Sequence, residues 1–153
     1  MNRPYYTSDG KIYAPNKARW IEFIKYWPEA SHMEGPGVCM IKIMPGDIRF
    51  PAKGPSRTQE RPYRKFSDSF VWSEDSEQLA IVEWNQQKET LVVFHFTRFK
   101  EAVIPINREG EDLWLHTFER NVITATLDGK QFEISLEKVP SSEWKRMQTE
   151  STE

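Results

Sequence analysis

The chain has 153 residues, 38% hydrophobic and 13% aromatic with six tryptophans, and a formal net charge of -2. That composition fills the core of one domain and is not that of a disordered chain. A single cysteine, Cys39, excludes an internal disulfide framework and a cysteine-rich zinc site. The first residues lack the apolar run of a signal peptide, and no later run is long enough to span a membrane, so a soluble intracellular protein is expected.

The net charge hides an asymmetry. Residues 1–66 carry twelve Lys/Arg against six Asp/Glu, a balance of +6, and residues 67–153 carry nine against seventeen, a balance of -8. Either the first part meets something acidic, or the two parts attract each other.

In chain order, Tyr13-Ala14-Pro15-Asn16 reads as an extended stretch ending in a helix N-cap at Asn16. Trp20, Phe23, Ile24 and Trp27 follow at i, i+3, i+4 and i+7, which predicts one buried helical face closed by Pro28. Gly35-Pro36-Gly37 is a turn, and Val38 to Met44 a short strand ended by Pro45-Gly46. Residues 51–65 hold three prolines, one glycine and five basic side chains against one Glu, the pattern of a surface loop.

From Ser69 the apolar period becomes two. Strands are predicted at Ser69–Glu74, Gln78–Trp84, Glu89–Thr97, Glu101–Ile106, Asp112–Phe118, Asn121–Leu127 and Lys130–Lys138. Leu91 to Phe96 is apolar on both faces and reads as a central strand. Asp128-Gly129 separates two alternating runs and predicts a hairpin with a type I′ turn. A short helix is expected from Ser141 or Ser142 through Trp144, before a frayed tail.

The expected fold is α+β: one N-terminal helix packed on a strongly curved antiparallel sheet or partial β-barrel of about seven strands. The expected core is Trp20, Phe23, Ile24, Trp27, Ile41, Ile43, Val82, Trp84, Phe94, Phe96, Ile123, Phe132, Ile134 and Leu136. The division is 1–51, 52–66, 67–140 and 141–153, within one compact domain.

Residues 13–51 resemble the JmjN domain that precedes the catalytic domain of jumonji histone demethylases. Tyr13 and Pro15 match the family's aromatic-x-Pro opening, and Trp20, Phe23 and Tyr26 its aromatic helix. Gly37, Val38, Cys39, Ile41, Lys42, Ile43 and Pro45 match its strand, and Phe50 and Pro51 its exit. Two residues separate Cys39 from Lys42 where the family often has none, Gly46 replaces a proline, and Pro28 cuts the helix short. The resemblance implies a chromatin-associated or demethylase-derived protein in a nuclear setting. JmjN carries no catalytic residue, so it implies action by binding.

Catalytic patterns are thin. His32-Met33-Glu34 with the distal His116 has the composition of a ferrous-iron triad of a 2-oxoglutarate oxygenase, but it lies in a Gly/Pro turn with no strands before it. His95-Phe96-Thr97 would be half of a two-histidine phosphoesterase, and the other half is missing, because Thr117 follows His116 directly. His95 therefore reads as a sheet residue and Cys39 as a small core residue. No phosphate loop or nucleophile elbow occurs. No catalytic residue, metal ligand or cofactor is assigned.

The binding candidate is the basic loop with its flanks: Arg49, Lys53, Arg57, Arg61, Tyr63, Arg64, Lys65 and Phe66. Cations spaced along a proline-stiffened segment suit an acidic protein surface. Interleaved aromatics also suit a small nucleic-acid-binding protein, though a sequence pI near 6.0 is low for that class. The expected function is thus a non-enzymatic interaction or regulatory module, such as a chromatin-associated adaptor. The alternatives are a nucleic-acid binder and, last, an iron/2-oxoglutarate oxygenase fragment. No membrane partner is expected.

Overall fold

The computed structural model describes residues 11–27, 38–46, 48–50, 64–85, 88–104, 106, 113–147 and 149. Among these there is no α-helix. The strands are β1 (Lys11–Tyr13), β2 (Trp20–Trp27), β3 (Val38–Met44), β4 (Ile48–Arg49), β5 (Lys65–Trp72) and β6 (Gln78–Asn85). They continue with β7 (Lys88–His95), β8 (Lys100–Ile104), β9 (Leu113–Glu119), β10 (Val122–Leu127), β11 (Lys130–Ser135) and β12 (Lys145–Arg146). One nine-stranded antiparallel sheet runs in the order β1-β2-β3-β5-β6-β7-β8-β12 with β4 on β3, and a three-stranded sheet runs β11-β10-β9. The large sheet is open, with β1 and β12 at its two ends.

The α+β expectation is therefore corrected. The segment read as the N-terminal helix is β2, and the strands outnumber the seven expected. Phe23 pairs with Ile41 and Lys25 with Met40, so Ile24 is the extra residue of a β-bulge. Trp20 and Phe23 are three apart in an unbroken alternation and so stand on opposite faces of the strand, and the i, i+3, i+4, i+7 spacing reflects apolar residues on both faces rather than one helical stripe. The eight residues of β2 are also mostly β-branched or aromatic, which favours a strand. Ile21 is fully buried, while Glu22 on the other face lies 3.7 Å from Lys42 of β3 and accepts from Trp20 Nε1 at 2.7 Å.

Asn16 caps no helix. Its Oδ1 accepts from the Ala18 N–H at 2.9 Å, a local side-chain turn of the kind asparagine makes before an N-terminus or within a hairpin. The helix expected from Ser141 is one 3-10 turn, Ser141–Glu143. The last predicted strand ends at Ser135, and a 3-10 turn covers Leu136–Lys138.

The central strands β6 and β7 are buried on both faces. Leu79, Ile81, Val92 and Phe94 face one core, whereas Ala80, Val82, Leu91 and Val93 face a second. The first core forms because the large sheet folds over itself. In a flat sheet the β1–β2 turn lies beyond the Met44 end of β3, and the β5–β6 turn beyond its Val38 end. Yet the Asn16 N–H donates to Ser76 Oγ at 2.8 Å, and the Arg19 guanidinium sits 4.7 Å from the centre of the Phe96 ring. The register shift between Phe66 and Phe70 of β5 supplies the bend. Ile12, Ile21, Ile43 and Phe50 are thereby laid onto Phe66, Leu79 and Phe94.

The second core lies between the large sheet and β9–β11. Leu115, Phe118, Ile123, Ala125 and Phe132 pack there against Val82, Leu91 and Ile104. Ser69 Oγ of β5 accepts from the Leu115 N–H at 2.9 Å and fixes the small sheet's position. The β10–β11 turn has Asp128 at φ 54° and Gly129 at φ 79°, joining the paired residues Leu127 and Lys130 as a type I′ turn does.

Of the expected core, Ile41, Ile43, Val82, Phe94, Phe96, Ile123, Phe132 and Leu136 are buried. Trp20 and Ile134 are only half-buried, and the side chains of Phe23, Ile24, Trp27 and Trp84 lie outside the described residues.

Candidate functional site

The basic segment is flanked by Phe50 and Arg64. The Arg64 N–H donates to the Phe50 carbonyl at 2.8 Å, so the two flanks are joined by a backbone hydrogen bond. Both residues are buried, and the Phe50 ring stacks on Phe94 of β7 with centroids 4.5 Å apart.

Arg64 is 5% exposed and points into the first core. Its Nε and Nη2 donate to Glu83 Oε2 and Oε1 at 2.9 and 2.7 Å, the bidentate fork that guanidinium and carboxylate geometry favours. Its Nη1 donates to Glu101 Oε1 and Oε2 at 2.9 and 3.2 Å. The rings of Phe66, Phe94 and Phe50 stand 5.4, 5.6 and 6.0 Å from the guanidinium carbon. Burial pulls the Arg64 pKa down, but the hydrogen bonds and charges of Glu83 and Glu101 outweigh it and hold the value above the ordinary one.

The proposed binding residues thus divide. Arg64 and Phe66 belong to the core and present nothing to a partner. Lys65 begins β5 and is exposed, and Arg49 ends β4 half-buried. Lys53, Arg57, Arg61 and Tyr63 lie outside the described residues, as do His32 and Glu34. Cys39 stands on β3, opposite Tyr26 and Phe66.

The remaining histidines serve their own strands. His95 ends β7; its Nδ1 accepts from the Arg98 N–H at 3.3 Å, and its ring meets Trp144 edge-on at 6.5 Å. Burial, then the charge of Arg98, push its pKa below the ordinary imidazole value. His116 is exposed on β9 with Nε2 3.0 Å from Thr126 Oγ1 across the ladder. Among the described residues no three His, Cys, Asp or Glu side chains are grouped to hold a metal ion, and no helix is long and apolar enough to cross a membrane.

Sequence reasoning missed Glu83 and Glu101. The signal was present: each is a carboxylate adjoining an apolar run, in AIVEW and EAVI. Nothing local shows that both meet the same arginine.

A second feature is a cavity of about 570 Å³ where the end of β8, the edge strand β11 and the two 3-10 turns meet. Ile104, Ile106, Phe132 and Ile134 give it apolar walls, and Glu133, Lys138 and Glu143 charge its margin.

No family model, curated protein or solved structure matches this chain.

Proposed function

We propose that the chain is a non-enzymatic interaction module that offers its basic segment, Lys53 to Lys65, to a protein partner with an acidic surface. The observation that supports this reading is the closed base: Phe50 and Arg64 are hydrogen-bonded to each other and buried in the first core. Fixed ends lower the entropy that a cationic segment loses on binding, and three prolines in residues 51–65 lower it further. Lys53, Arg57 and Arg61 are then the contact cations, with Lys65 beside the base. Arg64 holds the base and leaves the contact set. The chromatin setting implied by the JmjN resemblance belongs to the same reading and rests on residues 13–51 alone.

Affinity capture from the native cells, comparing the wild type with K53A/R57A/R61A, tests it. A protein partner carried by the wild type and lost by the variant is the expected result. Equal recovery of the same partner by both overturns the loop as the site. Recovery of nucleic acid alone, with affinity falling steeply as salt rises, replaces the protein partner with the other binding class.

A further inference from the structure

We propose that the outer edge of β11, with the cavity beside it, is a strand-addition site for an extended segment of a partner protein. It shares no residue with the basic segment. The register decides which backbone groups face outward. The two-residue type I′ turn makes Leu127 and Lys130 a hydrogen-bonded pair, and the pairing then alternates along the ladder. Lys130, Phe132 and Ile134 therefore spend their N–H and C=O groups on β10. Gln131, Glu133 and Ser135 direct theirs away from it, and among the described residues no strand pairs with that edge. Unpaired edge groups of this kind are a template for an added strand.

The cavity lies where the side chains of such a strand fall. Side chains alternate across a strand, so every second residue of an added segment lies on the same side as Phe132 and Ile134. On that side the cavity reaches Ile104 and Ile106 at and just past the end of β8, beyond Lys100 and Glu101, the two residues with which β12 pairs. Apolar side chains at i and i+2 fill it. The residue between them faces the side of Glu133, and because Glu133 and Glu143 together outnumber Lys138 at the margin a basic side chain is favoured there. A second copy of β11 fits less well: pairing through the same three residues sets Glu133 against Glu133, a like-charge contact across the ladder.

The test is a selection of random linear displayed peptides on the full chain. Enriched peptides are expected to alternate apolar residues around a Lys or Arg, and to bind K53A/R57A/R61A as well as the wild type. Glu133→Pro removes one outward N–H and no bond to β10, and is expected to weaken binding by roughly tenfold or more. Because proline can disturb the hairpin, amide exchange on the unaltered protein is the second measurement. Saturating peptide is expected to slow exchange at Gln131, Glu133 and Ser135 and to leave Phe132 and Ile134 nearly unchanged. The proposal is overturned by the absence of enriched peptides, by peptides without alternation, or by binding that protects other amides. Protection of the three outward amides in the free protein also overturns it, because the edge is then already taken by the chain itself or by a second copy.

Discussion

The rings of Phe50 and Phe94 stack with centroids 4.5 Å apart and an interplanar angle of 27°. Phe50 is the last described residue before the basic segment, and Phe94 belongs to a strand buried on both faces. The foot of the segment therefore rests on the middle of the protein. Phe50→Ala removes this stack and the edge contact with Phe66, leaving a void in the first core. A loss of about 3–5 kcal/mol is expected in urea denaturation. A loss below about 1 kcal/mol would show that the base of the segment is held elsewhere.

Gly129 stands at φ 79°, and nothing lies within 4 Å of where a Cβ would be. Alanine there meets no clash, so only the left-handed backbone opposes it. The expected cost of Gly129→Ala is about 1–2 kcal/mol, with the spectrum of the folded state unchanged. An unchanged denaturation midpoint would mean that the turn relaxes to another type.

His95 gives a pH dependence whose sign can be worked out. Its folded pKa is lowered by burial and then by Arg98, so below about pH 6.5 the unfolded chain binds more protons than the folded one. Its contribution to stability is intact above the unfolded value and is lost as pH falls from there through the lowered folded value. His95→Gln is expected to flatten the decline of stability in that window and to change little above it. The imidazole proton shifts of His95 should titrate with a midpoint below 6.5. A midpoint above 6.5 contradicts the burial argument.

How much was legible follows from how local each signal is. The β10–β11 hairpin was readable because alternation on both sides of Asp128-Gly129 fixes strand, turn and register together. The core strand β7 was readable from the continuous apolar run Leu91 to Phe96, and β6 from the strand pattern of Gln78–Trp84. β2 was misread because apolar residues occupy both of its faces, and Trp20, Phe23, Ile24 and Trp27 fall by composition at a helical spacing that no single face of the strand shares. Arg64 looked like its neighbours in the run Arg61-Pro62-Tyr63-Arg64-Lys65. Only the tertiary fold, which brings Glu83 of β6 and Glu101 of β8 to the same point, separates it from them. The cavity beside β11 was invisible for the same reason, since β8 and β11 meet only when the two sheets pack.

The central claim is that Arg64 serves the fold while the other cations of the segment serve a partner. Urea denaturation of Arg64→Met beside K53A/R57A/R61A tests it most directly. Removing Arg64 takes from the buried Glu83 and Glu101 the guanidinium that bridges them, and a loss of about 3–5 kcal/mol is expected. Adding Glu83→Gln and Glu101→Gln should recover part of that loss, because the buried carboxylate charge is then gone. The loop variant should stay within about 0.5 kcal/mol of the wild type, as surface substitutions do. An Arg64→Met protein as stable as the wild type, or a loop variant as damaged as Arg64→Met, contradicts the division of labour drawn here.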